Sequence, residues 1–273
     1  MQQLTTLSNA RLYLYQVGDN VTADDALLQL LINQTSGAIL SALQRPGLFR
    51  TTYTELRDGV GNQRMTLRNF PVLSVSSVQV ETQTIPVNTT LGGVGWTVDT
   101  WDGTTAGQLS VLQMNGYYFC RGRNNVQVVY DAGYAVEDES YTVTSSTSSG
   151  LSKYTAAQPL GSWAQDDGVF YSSGTALTAV SSSPSSGQYS VTNGVYQFNV
   201  ADAGQVLSID YSYIPTDLEQ ACIQWVAERY SYRSRVGITS QTMGGRETSA
   251  YDTSAIPAFV ALLIDPYKKW LPV

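Results

Sequence analysis

The chain has 273 residues and a net charge of −7, with 42% apolar and only 14% charged residues and 18 tyrosines. That length supports one large domain or two ordinary ones with a full core, and the apolar content excludes wholesale disorder. There is no histidine, which excludes Ser-His-Asp and Cys-His nucleophilic sites, His-ligated zinc and imidazole proton transfer.

In chain order, TADDALLQLLINQTSGAILSAL predicts a helix over about 22–44. Thr22 is placed to cap it, Asp24 and Asp25 suit the exposed N–H groups of its first turn, and Leu27, Leu28, Leu31, Ala38, Ile39, Ala42 and Leu43 share one stripe. Arg45-Pro46-Gly47 ends it. Strands are expected at FRTTYTELRDG, QRMTLRNFPVLSVSSVQVET, GWTVDT, QLSVLQM and NVQVVYDAG. Asp58-Gly59 reads as a hairpin turn between the first two, and Pro71 divides the second into two short strands. Val126, Val128 and Tyr130 alternate with polar neighbours, as in a half-buried strand, and Asp131-Ala132-Gly133 turns. An acidic run and TSSTSSGLSK follow, where a packed element would be expected.

Charge divides the chain. Residues 1–136 are net −1, 137–213 net −6, and 214–273 neutral. The middle segment shows strand and turn signals throughout, with Asn193-Gly194 at a hairpin turn and no helical period. A β-domain of sandwich-like type inserted at 137–213 is therefore expected, between the parts 1–136 and 214–273 of an α+β domain.

PTDLEQACIQWVAERYSYRSR predicts a second helix over about 216–235, opened by a Thr216–Glu219 capping box, with Leu218, Ala221, Cys222, Trp225 and Val226 as its apolar stripe. VGITSQTMGGRETSAYDT reads as a long connecting loop. SAIPAFVALLID predicts a helix over about 254–265, capped by Ser254 and stopped by Pro266.

Chemistry-bearing motifs are sparse. Cys120 and Cys222 read as small buried hydrophobes rather than a disulfide, and they cannot form a zinc finger or CxxC site. GGVGW does not match a dinucleotide fingerprint, and MGGRE is not a phosphate loop. Asp166-Asp167-Gly168 is a turn signature without the further oxygen ligands that calcium needs. A carboxylate pair for glycoside hydrolysis stays open. So does a carbohydrate-binding role for a β-domain carrying Trp163, Phe170 and Tyr171. Arg229, Arg233, Arg235 and Arg246 are the densest basic group, suited either to DNA phosphates or, preferred here, to salt bridges across a subunit joint. No apolar run is long enough to span a bilayer, and no secretion signal opens the chain; synthesis in the cytoplasm is expected.

Outside 137–213, the chain resembles the head–tail connector (adaptor, or head completion) family of tailed bacteriophages. The resemblance lies in DDALLQLLINQTSGAILSALQR, TLRNFPVLSVSSVQV, VVYDAGY, PTDLEQACIQWVAERYSYRSRVG and IPAFVALLIDPYKK, in that order. The middle segment, on the pattern GQYSVTNGVYQFNVADAG, looks like a small β-domain of other phage structural proteins and departs from the compact form of the family. The resemblance implies a non-enzymatic structural protein of the virion neck, without cofactor or metal. It implies a homo-oligomeric ring, roughly twelve to a ring, docked on the portal protein. Such a ring extends the DNA channel, lets genomic DNA pass without tight binding, and presents a platform to the next neck or tail protein. The inserted domain would face capsid, tail or solvent, and no membrane is involved. The family's C-terminal segment reaches towards the portal, a position held here by Tyr267, Lys268, Lys269 and Trp270. The alternative is a tail or baseplate component, or a carbohydrate-binding virion protein.

Overall fold

The computed structural model describes residues 2–15, 22–45, 47–99, 111–145, 150–232, 240–243, 247–250 and 256–269. The fold is α+β, in two compact units. One runs from Leu48 to Ile214; the other joins Met1–Gly47 to Pro215–Lys269. Each is described by itself.

The Leu48–Ile214 unit is built from strands β1 (Thr51–Gly59), β2 (Arg64–Thr66), β3 (Val72–Val80), β4 (Gln83–Ile85), β5 (Gly95–Asp99), β6 (Val111–Asn115), β7 (Gly122–Ala132), β8 (Ala135–Thr142), β9 (Leu151–Thr155), β10 (Gly161–Tyr171), β11 (Thr178–Ala179), β12 (Gln188–Thr192), β13 (Val195–Asn199) and β14 (Val206–Pro215). They form four sheets, in the orders β1-β7-β3-β4, β2-β6-β5, β10-β14-β8 and β11-β12-β13-β9. Strand β7 is central to the first. Its period of two buries Val126, Val128 and Tyr130 in a core with Val78, Val80, Trp96, Leu112, Met114 and Phe119. Fully burying one such side chain contributes about 1.5–3 kcal/mol.

Several local expectations change. Asp58-Gly59 is not a hairpin turn: both lie in β1, which pairs with β7 from Thr51↔Ala132 to Gly59↔Gly122. Asp58 instead accepts a hydrogen bond from the Asn124 amide. Pro71 does separate two strands, β2 and β3. The acidic run is itself a strand, β8, paired antiparallel with β14. Asp166-Asp167-Gly168 is no turn either, but lies inside β10. Its carboxylates are held by distant hydroxyls: Tyr189 and Tyr196 donate to Asp166 at 2.5 and 3.0 Å, and Ser212 to Asp167 at 2.6 Å. Asn193-Gly194 forms the expected turn between β12 and β13, with both φ angles positive at 48° and 76°, as a two-residue hairpin loop of the primed type requires.

The other unit contains helices α1 (Leu7–Leu14), α2 (Asp25–Ala42), α3 (Thr216–Tyr232) and α4 (Ala258–Ile264). Helix α1 was not anticipated; Thr6 caps it by accepting from the Asn9 amide. Asp24, rather than Thr22, is the N-cap residue of α2. The buried stripe of α3 is the expected one, Leu218, Ala221, Cys222, Trp225 and Val226, with Glu219 added. It packs on α2, α1 and α4. Helix α4 starts at Ala258 after Pro257, and Ser254 lies outside the described residues. Pro266 falls in the 3-10 turn that follows α4, Asp265–Tyr267. Within the expected loop, β15 (Ser240–Met243) and β16 (Glu247–Ala250) pair as an antiparallel hairpin.

The boundary between units does not fall at residue 136. Strands β1–β7 group with the middle segment rather than with the helices, and Arg50, just before β1, is tied to β8 and β14 through Glu137, Asp210 and Ser212.

Candidate assembly surface

Helix α1 is locked onto α3 through Glu219, which is buried and accepts from the side chains of Asn9 at 2.6 Å and Thr5 at 3.3 Å. At the start of α2, Asp25 pairs with Arg11, and Asp24 accepts from the phenols of Tyr230 and Tyr15. The aspartates expected only to complement the helix N-terminus are thus the α1–α2–α3 fastening.

With those helices fixed, Tyr13 on α1, Phe259 on α4 and Gln224, Ala227, Glu228 and Ser231 on α3 line an open groove of about 440 Å³. Tyr13 is 58% exposed and Phe259 39%, and elsewhere on α1 and α4 Leu12 and Leu262 are 66% and 76% exposed. Apolar side chains left in water on adjoining helices suit burial against another protein surface. The sequence signal for this face was the apolar content of ALLID beyond what one short helix buries; Tyr13 was missed with α1.

Among the basic candidates, Arg229 lies on the exposed side of α3, its guanidinium 5.0 Å from the centre of the Trp225 ring. That contact holds the charge over an aromatic face. Arg233, Arg235 and Arg246 lie outside the described residues, as does Trp270. Of the C-terminal candidates, Tyr267 is buried and donates to Asp217 at 3.2 Å. Lys268 pairs with Asp265 at 2.8 Å, and the Lys269 amide donates to the Leu43 carbonyl. Tyr267 therefore packs within the helical unit.

Both cysteines are free. Cys222 is buried as expected, with its Sγ near the hydroxyls of Thr35 and Ser36, and burial raises its thiol pKa. Cys120 is exposed, against expectation, because it sits in the turn before β7. Among the described residues, no three Asp, Glu or Cys side chains cluster as metal ligands, and no helix is long and apolar enough to cross a membrane. Trp163, expected as a candidate sugar-binding aromatic, is partly buried and donates to the Tyr196 hydroxyl at 3.2 Å.

No protein-family model matches the chain, and no curated protein matches it. Among solved structures it is similar to one described as the neck of an empty GTA particle computed with C6 symmetry, at 12% identity and a TM-score of 0.39, over 99% of this chain and 92% of that one. A likeness of that degree defines neither a fold nor a role.

Proposed function

We propose that the chain is a non-enzymatic adaptor of a tailed-phage neck, forming a ring that docks on the portal, continues the DNA channel and carries the next neck or tail protein. The observation that carries this reading is that the segments resembling the adaptor family at both ends of the chain, 22–45 and 216–269, belong to one helical unit and leave an apolar groove on its surface. Neighbouring subunits fill such a groove in a ring, with Arg229 and the arginines that follow it at the joint.

The middle segment 137–213 is proposed to be an added module facing capsid, tail or solvent. In support, its two ends are neighbours: Val136 and Tyr211 are cross-strand partners, and the Tyr213 amide donates to the Tyr134 carbonyl. None of β8–β14 shares a sheet with β1–β7.

Docking is tested by co-purifying the intact chain with the portal protein of the same particle, and repeating with a chain ending at Lys269. That truncation spares Tyr267, which is buried in the helical unit. Binding by the full chain and weaker binding by the truncated one are expected. No binding by the full chain overturns the portal role, and equal binding by both removes the tail from it.

A further inference from the structure

In the Leu48–Ile214 unit, three loops meet at the Gly59/Gly122 end of the β1–β7 ladder. The Gly61 amide donates to the Phe119 carbonyl, the Phe119 amide donates to the Asn62 carbonyl, and the Asn115 side chain donates to the carbonyls of Gly92 and Gly93. These bonds draw residues 59–64, 86–95 and 116–125 into one surface. It is unusually apolar for an exposed tip: Val60, Val87, Val94 and Tyr118 are each more than half exposed, and Leu91 is fully so. Internal hydrogen bonds hold it in shape. Asn88 donates to the Gly93 carbonyl and accepts from the Thr90 amide, and the Gly93 amide donates to the Thr90 carbonyl.

The same surface carries more cations than anions. In a chain of net −7, these three loops contain Arg64, Arg121 and Arg123 and no carboxylate. Two exposed carboxylates border these loops, Asp58, which accepts from the Asn124 amide, and Glu81, whose own amide donates to the Asn125 carbonyl, so three arginines leave a small positive excess there. Among the described residues, no carboxylate pairs with Arg121 or Arg123.

The opposite end of the ladder has the opposite sign. At Thr51↔Ala132, about 25 Å away at the usual rise of a strand, Arg50 lies among Asp131, Glu137 and Asp210 at 3.2–3.4 Å. Asp138 lies at the same end, its backbone amide donating to Asp210 and its carboxylate accepting from the Ser208 hydroxyl, and it is exposed. One guanidinium faces three carboxylates, with Asp138 next to Glu137 on the same strand.

We infer that this unit docks head to tail on a second copy of the chain, the Arg64/Arg121/Arg123 loop end of one copy on the Glu137/Asp138 end of the next. An apolar tip with a cation excess matches a protein surface carrying excess carboxylates, and this chain presents one at the far end of the same ladder. A contact between two different faces is heterologous, so it repeats from copy to copy and closes into a ring or continues as a stack. The inference concerns a face separate from the helical groove and stands without the neck assignment.

The test is sedimentation velocity of the intact chain across a range of concentrations. Association that extends past the dimer and weakens as salt rises to about 0.5 M is expected. The pair R121E/R123E, and separately E137K/D138K, are each expected to weaken it about tenfold or more. Mixing the two variants is expected to restore it, because each then offers the complement of the other. Leu91→Ser is expected to weaken it without altering charge. Asp138→Lys alone serves if Glu137→Lys unfolds the protein, since the Asp138 side chain is exposed. A chain that stays monomeric throughout, variants that associate like the parent, or a mixture that fails to recover would each overturn the inference. Binding of duplex DNA through the same arginines without self-association would do so too. Portal binding is measured separately, so a chain that self-associates but ignores the portal retains this contact and loses the adaptor role.

Discussion

The Tyr130 hydroxyl donates to Glu55 Oε2 at 2.6 Å, joining two buried side chains from neighbouring strands β7 and β1. The same carboxylate accepts from the Arg68 amide, and its other oxygen pairs with Arg57 at 2.9 Å. Burial, with the negative charge of Glu55, pushes the Tyr130 phenol well above its ordinary pKa, so it remains a donor throughout the physiological range. Tyr130→Phe keeps the ring and removes the donor. Urea denaturation of that variant is expected to show a loss of about 1–3 kcal/mol; an unchanged midpoint would mean the hydrogen bond contributes nothing net.

Acidity bears on the same unit through two carboxyls. Burial, reinforced by Asp210, Asp138 and Asp131 and opposed by Arg50, raises the pKa of Glu137; burial, opposed by hydrogen bonds from Ser212 and Gln165, raises that of Asp167. Between their raised values and the ordinary carboxylate range, the folded chain binds more protons than the unfolded one, so stability rises as pH falls. The urea midpoint is expected to be higher at about pH 5.5 than at about pH 7.5, and Glu137→Gln to flatten the difference. A midpoint that falls on acidification would contradict this.

Much of the pattern that produces these elements is local and was readable. The stripes of α2 and α3 and the alternation at Val126, Val128 and Tyr130 each report burial through their own spacing. Asn193-Gly194 reports a backbone that few other residue pairs adopt. What escaped is non-local. The acids of 137–139 read as a break in structure because nothing nearby in sequence says that Arg50 will meet Glu137 or that β14 will pair beside it. Asp166 and Asp167 read as a turn because their partners, Tyr189, Tyr196 and Ser212, lie 23, 30 and 45 residues away. The groove was half-legible: α4 showed its apolar residues, whereas Tyr13 stood on an eight-residue helix too short to display a period.

Gly194 and Gly204 provide a matched pair for the turn geometry. Both have positive φ, at 76° and 85°. A Cβ at Gly194 would lie 3.0 Å from the Trp163 ring, while one at Gly204 would meet nothing within 4 Å. Gly204→Ala is expected to cost about 1 kcal/mol through backbone strain alone, and Gly194→Ala clearly more. Equal thermal shifts for the two variants would count against the packing of Trp163 on this turn.

The thiols report on the helical unit directly. Cys222 is fully buried in α3 with a raised pKa, while Cys120 is exposed. A disulfide-exchange reagent is expected to modify one thiol per native chain, and both in denaturant. Cys222→Ala should leave the fast reaction intact, and Cys120→Ala should abolish it. Two fast thiols in the native chain would mean that α3 is not packed against α2 as described.

The most direct measurement of the central claim is electron cryo-imaging of intact particles built with this chain. The account predicts a ring of density immediately beneath the portal, its inner body fitted by the helical unit that joins Met1–Gly47 to Pro215–Lys269. Density for the chain at a tail tip or baseplate, or particles that form a complete neck without it, would contradict the account.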